Sequence, residues 1–159
     1  MKTILVLSDT HGNRAAIDAL EPVPAESDFI IHLGDLSSDG GYLKSKYPDK
    51  TLILNGNCDM HRLGEDEIVT QIEGVKLIAC HGHKYSVKTT LLRLAARAKE
   101  ENCTLALYGH THEARADEID GVTLINPGCL TRYSQNSYCY LVISGDKFTH
   151  KTVWTNKRL

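Results

Sequence analysis

The segment Leu105-Ala106-Leu107-Tyr108-Gly109-His110-Thr111-His112 places two histidines directly after a short apolar run. A run of this length and composition predicts a buried β-strand, and the glycine after it marks the end of the strand. His110 and His112 are therefore expected at a strand-to-loop junction. Imidazole is the most common metal ligand in proteins, so the pair makes this junction a candidate metal site.

Four other strand-to-loop junctions carry polar side chains of the same kind. They are Ser8-Asp9-Thr10-His11, Gly34-Asp35, Asn55-Gly56-Asn57-Cys58-Asp59 and Cys80-His81-Gly82-His83, after the predicted strands at 4–7, 29–31, 52–54 and 75–79. In open α/β sheets the ligand crevice lies outside the carboxyl ends of the strands, so residues far apart in sequence meet there. The pattern predicts one site that collects side chains from five strand ends.

The donor atoms of these side chains are typical of a transition-metal site. The predicted ligands are Asp9, Asp35 and Asn57, which offer oxygen, and His11, His81, His110 and His112, which offer nitrogen. A mixed set of this kind suits Mn²⁺, Fe²⁺, Ni²⁺ or Zn²⁺ better than the hard cations Ca²⁺ and Mg²⁺. We expect Mn²⁺ first, with Ni²⁺, Fe²⁺, Zn²⁺ and Mg²⁺ as alternatives.

The number of ligands indicates two ions. Seven donors exceed the needs of one tetrahedral zinc but fit two neighbouring ions that share a carboxylate and a solvent molecule. We expect Asp35 to be the shared carboxylate, because Gly34 allows the backbone to bend sharply beside it.

The polar junctions also form an ordered series of motifs. The series is Asp9-x-His11, Gly34-Asp35, Gly56-Asn57-x-Asp59, His81 and Gly109-His110-x-His112, with the loop Asn126-Pro127-Gly128 after it. It resembles the calcineurin-like metallophosphoesterases, and in particular their small single-domain phosphodiesterase branch. The resemblance implies a four-layer α-β-β-α sandwich. It also implies one ion held by Asp9, His11, Asp35 and His112 and a second held by Asp35, Asn57, His81 and His110.

One position departs from the pattern of many family members. Where they carry a histidine that assists the leaving group, oriented by the acidic residue after it, this chain has Cys58 followed by Asp59. A thiol with an ordinary pKa near ~8.5 is a poorer proton donor than imidazolium, although cysteine also occurs here in the small phosphodiesterase branch. We expect Asn57, Cys58 and His81 to be the catalytic residues, and Asp59 to be a structural remnant.

The predicted reaction is hydrolysis of a phosphate diester by a hydroxide held between two divalent cations, which also offset the charge of the transition state. Arg132 is expected to bind substrate phosphate through its guanidinium group, with a solvated surface position as the alternative. A phosphomonoesterase or a nucleotide pyrophosphatase would use the same ions. A retromer-like scaffold would keep the fold after losing metal ligands, but here all seven positions are filled.

The length and composition of the chain narrow the classes of protein and of substrate that it fits. The 159 residues predict a single domain, 1–159, and the net charge of −2 offers no basic stripe for extended nucleic-acid binding, so a small phosphate ester is the expected substrate. No apolar run approaches the ~18 residues of a membrane span. An odd number of cysteines, five, and an apolar run after Met1-Lys2 too short for a signal peptide predict the cytoplasm. A homo-oligomer is compatible with the sequence.

The secondary-structure pattern changes along the chain. Helical spacing of apolar residues predicts helices at 13–20, ended by Pro22 and Pro24, and at 87–100, with a shorter one at 41–46. Hairpins are predicted for 68–73 with 75–79, for 114–119 with 122–125, and for 138–143 with 147–154. Parallel units followed by hairpins imply two mixed sheets packed face to face, in an α/β fold.

Overall fold

Residues 1–155 are described by the computed structural model, so positions 156–159 of the predicted domain lie outside the described part of the chain. The first of its two sheets has the strand order β10-β9-β1-β2-β3. Its strands are β1 (Lys2–Leu7), β2 (Phe29–His32), β3 (Thr51–Ile53), β9 (Ser137–Ser144) and β10 (Lys147–Trp154). β1, β2 and β3 run parallel, and the hairpin of β9 and β10 adds antiparallel to β1.

The second sheet has the strand order β4-β5-β6-β8-β7. Its strands are β4 (Glu67–Ile72), β5 (Val75–Cys80), β6 (Leu105–Leu107), β7 (Arg115–Ile119) and β8 (Val122–Asn126). β5, β6 and β8 run parallel, while β4 and β7 pair antiparallel at the two edges. The prediction of two mixed sheets is therefore confirmed, and each has five strands.

Alternation along β1 explains how the layers pack. Successive side chains of a strand point to opposite faces of its sheet. Ile4 and Val6 belong to the buried cluster that also contains residues of the second sheet, whereas Leu5 and Leu7 pack in a different cluster with the helical residue Ile17. One face of each sheet meets the other sheet, and the opposite face is covered by helices. This arrangement is the predicted α-β-β-α sandwich.

Within residues 1–155, four helices cover the outer faces of the sheets. They are α1 (Arg14–Asp18), α2 (Val23–Glu26), α3 (Ser37–Lys46) and α4 (Leu92–Glu100), with a 3-10 helix at His83–Tyr85. The outer core of the first sheet takes in Leu43 of α3, and that of the second sheet takes in Leu94 of α4. Among the described helices, none has the length and hydropathy required to cross a bilayer.

The helix boundaries differ from the sequence prediction at four places. α1 ends at Asp18 and not at residue 20. Pro22 and Pro24 begin α2 instead of only ending α1, because proline is tolerated where a helix's first amide groups lack partners. α4 begins at Leu92 and not at residue 87, since 83–89 form the 3-10 helix and turns. α3 begins at Ser37, four residues before the prediction, and contains Gly40. A Cβ there would lie 2.8 Å from Ile53 Cγ2, so close packing on β3 explains a glycine inside a helix.

Candidate metal centre

The loops after the parallel strands of both sheets meet at one place. Asp9 N donates to Gly34 O at 2.9 Å, and this bond ties the loop after β1 to the loop after β2. Gly109 N donates to His81 O at 2.9 Å and ties the loop after β6 to the end of β5. A third bond connects the two sheets: His110 N donates to Asp9 Oδ2 at 3.0 Å, between residues 101 positions apart in the sequence.

Two groups of donor atoms converge there. The nearest donor atoms of Asp9, His11 and His112 all lie within 4.8 Å of one another, and so do those of Asp9, Asp35 and His81. Asp9 belongs to both groups. Two overlapping groups of this size have the donor types that suit divalent transition metals.

Both carboxylates occupy central positions. Asp9 Oδ1 lies 3.2 Å from His112 Nε2, 3.8 Å from His81 Nε2 and 3.9 Å from His11 Nε2. Asp35 Oδ2 lies 3.3 Å from His81 Nε2 and 3.9 Å from His11 Nε2. The sequence predicts that Asp35 alone is shared between two ions, whereas the geometry places Asp9 at least as centrally.

The remaining two predicted ligands lie beside His81. Asn57 Oδ1 is 2.9 Å from His81 Nε2, and the ring centroid of His110 is 5.1 Å from that of His81. The structure thus places the side chains of all seven predicted ligands in one region, although they come from five different loops.

The buried carboxylates of this region are charged. Burial opposes ionisation, but the adjacent His112 ring and the charge of His81 hold the pKa of Asp9 below its usual value. Burial also opposes ionisation of Asp35, but His81 and the Cys58 amide keep the pKa of this carboxyl below its usual value. Asp9 Oδ1 is buried and accepts no hydrogen bond of good geometry from residues 1–155. A buried charge without a full set of partners is costly, and a cation would satisfy it.

The rings of His81 and His110 face the same space. His81 Nδ1 lies 2.8 Å from Leu33 O and donates to that carbonyl, which directs Nε2 at Asn57 Oδ1 and Asp35 Oδ2. Burial opposes protonation of His81, but Asp35 and Asp9 raise the pKa of its ring above the usual value. A cation bound among these side chains would take the place of the Nε2 proton. Burial, together with the charges of His81 and Lys88, lowers the pKa of His110 to about 4, so this ring is in its neutral, metal-binding form at pH 7.

Five of the seven side chains stand on strained backbone. The φ angles are positive at Asp9 (54°), His11 (43°), Asp35 (52°), His110 (70°) and His112 (62°). Left-handed conformations are uncommon for residues other than glycine, and they concentrate at functional sites, where the surrounding structure enforces them. This backbone strain is a second, independent mark of a functional site.

Two glycines make the close approach of these loops possible. A Cβ at Gly56 would lie 2.0 Å from Asp35 Oδ1, and a Cβ at Gly109 would lie 2.1 Å from Ser8 Oγ and 2.7 Å from Asp9 Oδ2. Any larger residue would collide with a central carboxylate or with the residue beside it. The glycines of the Gly-Asn and Gly-His motifs therefore provide space for the two acids.

The role of Asp59 differs from the sequence prediction of a structural remnant. Its carboxylate accepts hydrogen bonds from three backbone amides: Gly56 N at 2.6 Å, Ser37 N at 2.7 Å and Asp35 N at 3.1 Å. These bonds join the loop after β3 to the loop that carries Asp35. Asp59 therefore positions the backbone of a central carboxylate, a role that depends on contacts between distant loops.

Replacing Asp59 with asparagine should lower the free energy of unfolding by about 2 kcal/mol, because one carbonyl oxygen cannot accept all three bonds and hydrogen bonds to charged groups contribute ~1.5–3 kcal/mol each. Urea denaturation of Asp59→Asn measures this loss. Asp49→Asn, on an exposed surface, is the matched control. A change in Asp59→Asn no larger than in the control would contradict the positioning role.

A buried polar chain supports the loop after β1. His32, the last residue of β2, is fully buried. Its Nδ1 accepts from Gly34 N at 3.1 Å, so Nε2 carries the proton and donates to Thr10 Oγ1 at 3.0 Å. Thr10 in turn donates to Asp39 Oδ2 at 2.6 Å, which also accepts from Gly12 N at 2.8 Å. The chain links the loops that carry the central carboxylates, and the sequence pattern did not reveal it.

Cys58 lies at the exposed edge of the site. Its amide donates to Asp35 Oδ1 at 2.9 Å, and Asn57 Nδ2 lies 3.5 Å from its sulfur. Partial burial and the Asp35 carboxylate raise the pKa of the Cys58 thiol, so the side chain is a neutral thiol at pH 7. The imidazole of His83 also lies near the site. Its ring centroid is 5.5 Å from that of His81 and 6.1 Å from that of His110.

Arg132 lies on the other side of the site. It lines a cavity of about 420 Å³ together with His11, His112 and Tyr133. Its side chain is exposed. Phosphate binding by Arg132 stays a prediction.

A two-sheet α/β sandwich with carboxylates and histidines gathered at its strand ends defines a class of metal-dependent hydrolases. Residues 1–147 match the calcineurin-like phosphoesterase superfamily domain. The chain therefore belongs to the calcineurin-like phosphoesterase superfamily, which confirms the resemblance of its motifs.

Relatives of similar length agree with this assignment. A probable metallophosphoesterase of Bacillus subtilis is 31% identical over 152 residues, which cover 92% of this chain and 87% of the relative. A phosphodiesterase of Methanocaldococcus jannaschii is 30% identical over 142 residues, which cover 77% of this chain and 81% of the relative.

Solved structures show the same fold. A predicted phosphoesterase from Streptococcus pneumoniae superposes with a TM-score of 0.82 at 25% identity, covering 97% of this chain and 90% of that one. Vps29 from Entamoeba histolytica, in complex with Zn²⁺, gives a TM-score of 0.76 at 18% identity, covering 97% and 99% of the two chains. At that identity the likeness to Vps29 concerns the fold alone.

Proposed function

We propose that this protein is a phosphodiesterase that requires two divalent metal ions and cleaves small phosphate diesters. The observation that carries the proposal is the pair of overlapping donor groups, which share the ionised and incompletely partnered carboxylate of Asp9. The name of the Methanocaldococcus jannaschii relative supports the preference for diesters.

The side chains divide into two ligand sets in this proposal. Asp9, His11, Asp35 and His112 would hold one ion, and Asp35, Asn57, His81 and His110 the other. When bound, the two cations supply positive charge for phosphate oxygens and lower the pKa of water that would serve as the nucleophile. Mn²⁺ is the proposed native metal, and Ni²⁺, Fe²⁺, Zn²⁺ and Mg²⁺ are the alternatives.

The chain's own residues bind and orient the substrate. Arg132, in the cavity beside His11 and His112, donates hydrogen bonds to the phosphate oxygens. His81 is fixed by its bond to Leu33 O and keeps Nε2 directed at the reacting region. Asn57 and the neutral thiol of Cys58 stand where the leaving group departs. Because that thiol is a weak acid, the site favours leaving groups that need little protonation.

Several further features belong to the proposal. Residues 1–159 would form one domain that acts in the cytoplasm on a small phosphate ester. The protein would bind neither membranes nor extended nucleic acid. A homo-oligomer is compatible with the proposal. The likeness to the Vps29 fold makes a scaffold the alternative class. A phosphomonoesterase or nucleotide pyrophosphatase would use the same side chains and differ only in the substrate that it accepts.

Metal removal and reconstitution test the proposal. The protein treated with a chelator should not hydrolyse bis(p-nitrophenyl) phosphate, and addition of Mn²⁺ should restore hydrolysis, because the buried carboxylates need a cation to hold a phosphate ester. The metal content after reconstitution should be two ions per chain. Parallel assays with Ni²⁺, Fe²⁺, Zn²⁺ and Mg²⁺ identify the preferred metal.

The alternatives are separated by comparing kcat/KM for the diester bis(p-nitrophenyl) phosphate with kcat/KM for the monoester p-nitrophenyl phosphate. A higher kcat/KM for the diester supports the phosphodiesterase, and a higher value for the monoester would replace it with a phosphomonoesterase. Two bound ions without hydrolysis of either ester, or of a dinucleotide pyrophosphate, would favour the scaffold.

A further inference from the structure

A second cavity, of about 340 Å³, opens on the side of the metal centre where β6 ends. Two of its lining residues, Tyr108 and Thr111, stand in the same segment as the proposed ligands His110 and His112. The cavity is separate from the one that contains Arg132 and Tyr133. A substrate bound at the metal centre would therefore have two neighbouring spaces for its remaining groups.

The hydroxyl of Tyr108 lacks a partner. The side chain is completely buried, and among residues 1–155 its oxygen has no hydrogen-bond partner. A tyrosine hydroxyl is protonated at pH 7 and is able to donate. A buried hydroxyl without a partner is destabilising by ~1–3 kcal/mol, and native proteins rarely leave one so. An acceptor atom in the cavity would satisfy it.

Lys88 supplies positive charge to the same cavity. It lines the space, and no residue of the described chain forms an ion pair with it. Thr111, which stands between His110 and His112 in the sequence, lines the same cavity. The cavity therefore borders both Lys88 and the segment that carries these two rings.

The other charged lining residues are a paired base and an exposed acid. Arg115 is held by Asp117 through two hydrogen bonds, at 2.7 and 2.8 Å, which fix its guanidinium group and offset its charge. Glu113 is an exposed acid of the lining. Arg115 is already paired, whereas no hydrogen bond or ion pair within residues 1–155 engages Lys88 or the Tyr108 hydroxyl, so these two donors are free for a ligand.

We propose that this cavity binds a second anionic group of the substrate, a carboxylate or a phosphate, with Lys88 and Tyr108 as its hydrogen-bond donors. The inference rests on the proposed function, because the scissile ester would lie at the metal centre. It narrows the substrate class to phosphate esters that carry another acidic group. Lys88 and Tyr108 are specificity-determining residues in this view and take no part in the bond cleavage.

Binding of non-hydrolysable phosphonates tests the inference. Isothermal titration calorimetry gives the dissociation constants of two series of ligands for the Mn²⁺-loaded protein. One series is the ω-phosphonocarboxylates, which begin with 3-phosphonopropionate and increase in chain length, and the other is the alkylphosphonates of equal length. For one chain length, the phosphonocarboxylate should bind about tenfold more tightly than the alkylphosphonate of equal length, which lacks the carboxylate. A difference of this size is expected for a charge-assisted hydrogen bond. Lys88→Met and Tyr108→Phe should each reduce this preference several-fold, whereas Lys99→Met on α4 should retain it. If no member of the series is preferred, or if all variants keep the preference, the inference is wrong.

A direct signal from Tyr108 separates this inference from the proposed function. In protein labelled with ¹³Cζ-tyrosine, the resonance that disappears in Tyr108→Phe should shift when inorganic phosphate is added to the metal-free chain, and it should shift less in Lys88→Met. A shift in a protein that hydrolyses no ester would preserve the anion site and refute only the phosphodiesterase. An unresponsive Tyr108 in an active enzyme would refute only the anion site.

Discussion

Replacing Asp35 with alanine is expected to abolish metal-dependent hydrolysis, with a loss in kcat/KM of about 10³-fold or more. Asp35 Oδ2 lies between His81 and His11, at 3.3 and 3.9 Å, so its removal takes a carboxylate from both ligand sets. Lewis-acid charge at a phosphate ester contributes several kcal/mol to transition-state stabilisation, which corresponds to a factor of this size. The fold should persist, because the core between the sheets does not include Asp35.

Three measurements establish this result. Metal analysis of Asp35→Ala should show loss of both ions, circular dichroism should show the native secondary structure, and kinetics should give the fall in rate. Asp35→Asn keeps the shape of the side chain and tests the charge alone. Asp146→Ala, in an exposed turn, is the control for loss of an acid. Near-native hydrolysis by Asp35→Ala with two ions bound would show that another residue, with Asp9 as the first candidate, is the shared ligand.

Replacing Cys58 with histidine should accelerate the cleavage of esters with poor leaving groups by about 10²–10⁴-fold, the usual contribution of a well-placed general acid. The native thiol is neutral and, with its raised pKa, a weak proton donor. The position is exposed, so an imidazole has room there, and the bond from the residue 58 amide to Asp35 does not depend on the side chain. Nitrophenyl esters, whose leaving groups need little protonation, should gain much less.

The measurement is a plot of log kcat/KM against leaving-group pKa for the native protein, Cys58→His and the control Cys58→Ser. The native slope should be steep, and that of Cys58→His should be shallower. A native slope that is already flat would mean that another residue supplies the proton. His83, with its ring 5.5 Å from His81, is then the first residue to test.

The strands and the gathering of the seven side chains were predictable, because both follow from local patterns. Apolar runs of strand length end in polar residues, and the carboxyl ends of parallel strands meet. The first half of α3 was hidden because Gly40 lowers helix propensity, and only its packing against Ile53 shows why glycine stands there. The prolines at the start of α2 are ambiguous in the sequence, because proline is found both after the end of one helix and in the first turn of the next.

The finer features of the site depend on contacts between loops, which local patterns do not encode. The three amide bonds of Asp59 involve the loops after two strands, and the chain from His32 through Thr10 to Asp39 spans 29 residues. The left-handed backbone at Asp9 and His11 is enforced by bonds to Gly34 and Asp35. Likewise, the central position of Asp9 emerges only when the loops of both sheets are in place.

The division of the proposed ligands between the sheets has a thermodynamic consequence. Asp9, His11, Asp35 and Asn57 follow strands of the first sheet, while His81, His110 and His112 follow strands of the second. Neither sheet alone holds a complete ligand set. The ions would therefore bind only when the two sheets are packed together, and they would stabilise the interface between them. By linkage, an ion present at a hundred times its dissociation constant adds about 2.7 kcal/mol to the stability of the folded state. Metal supply would then set the stability of the folded protein as well as its chemistry.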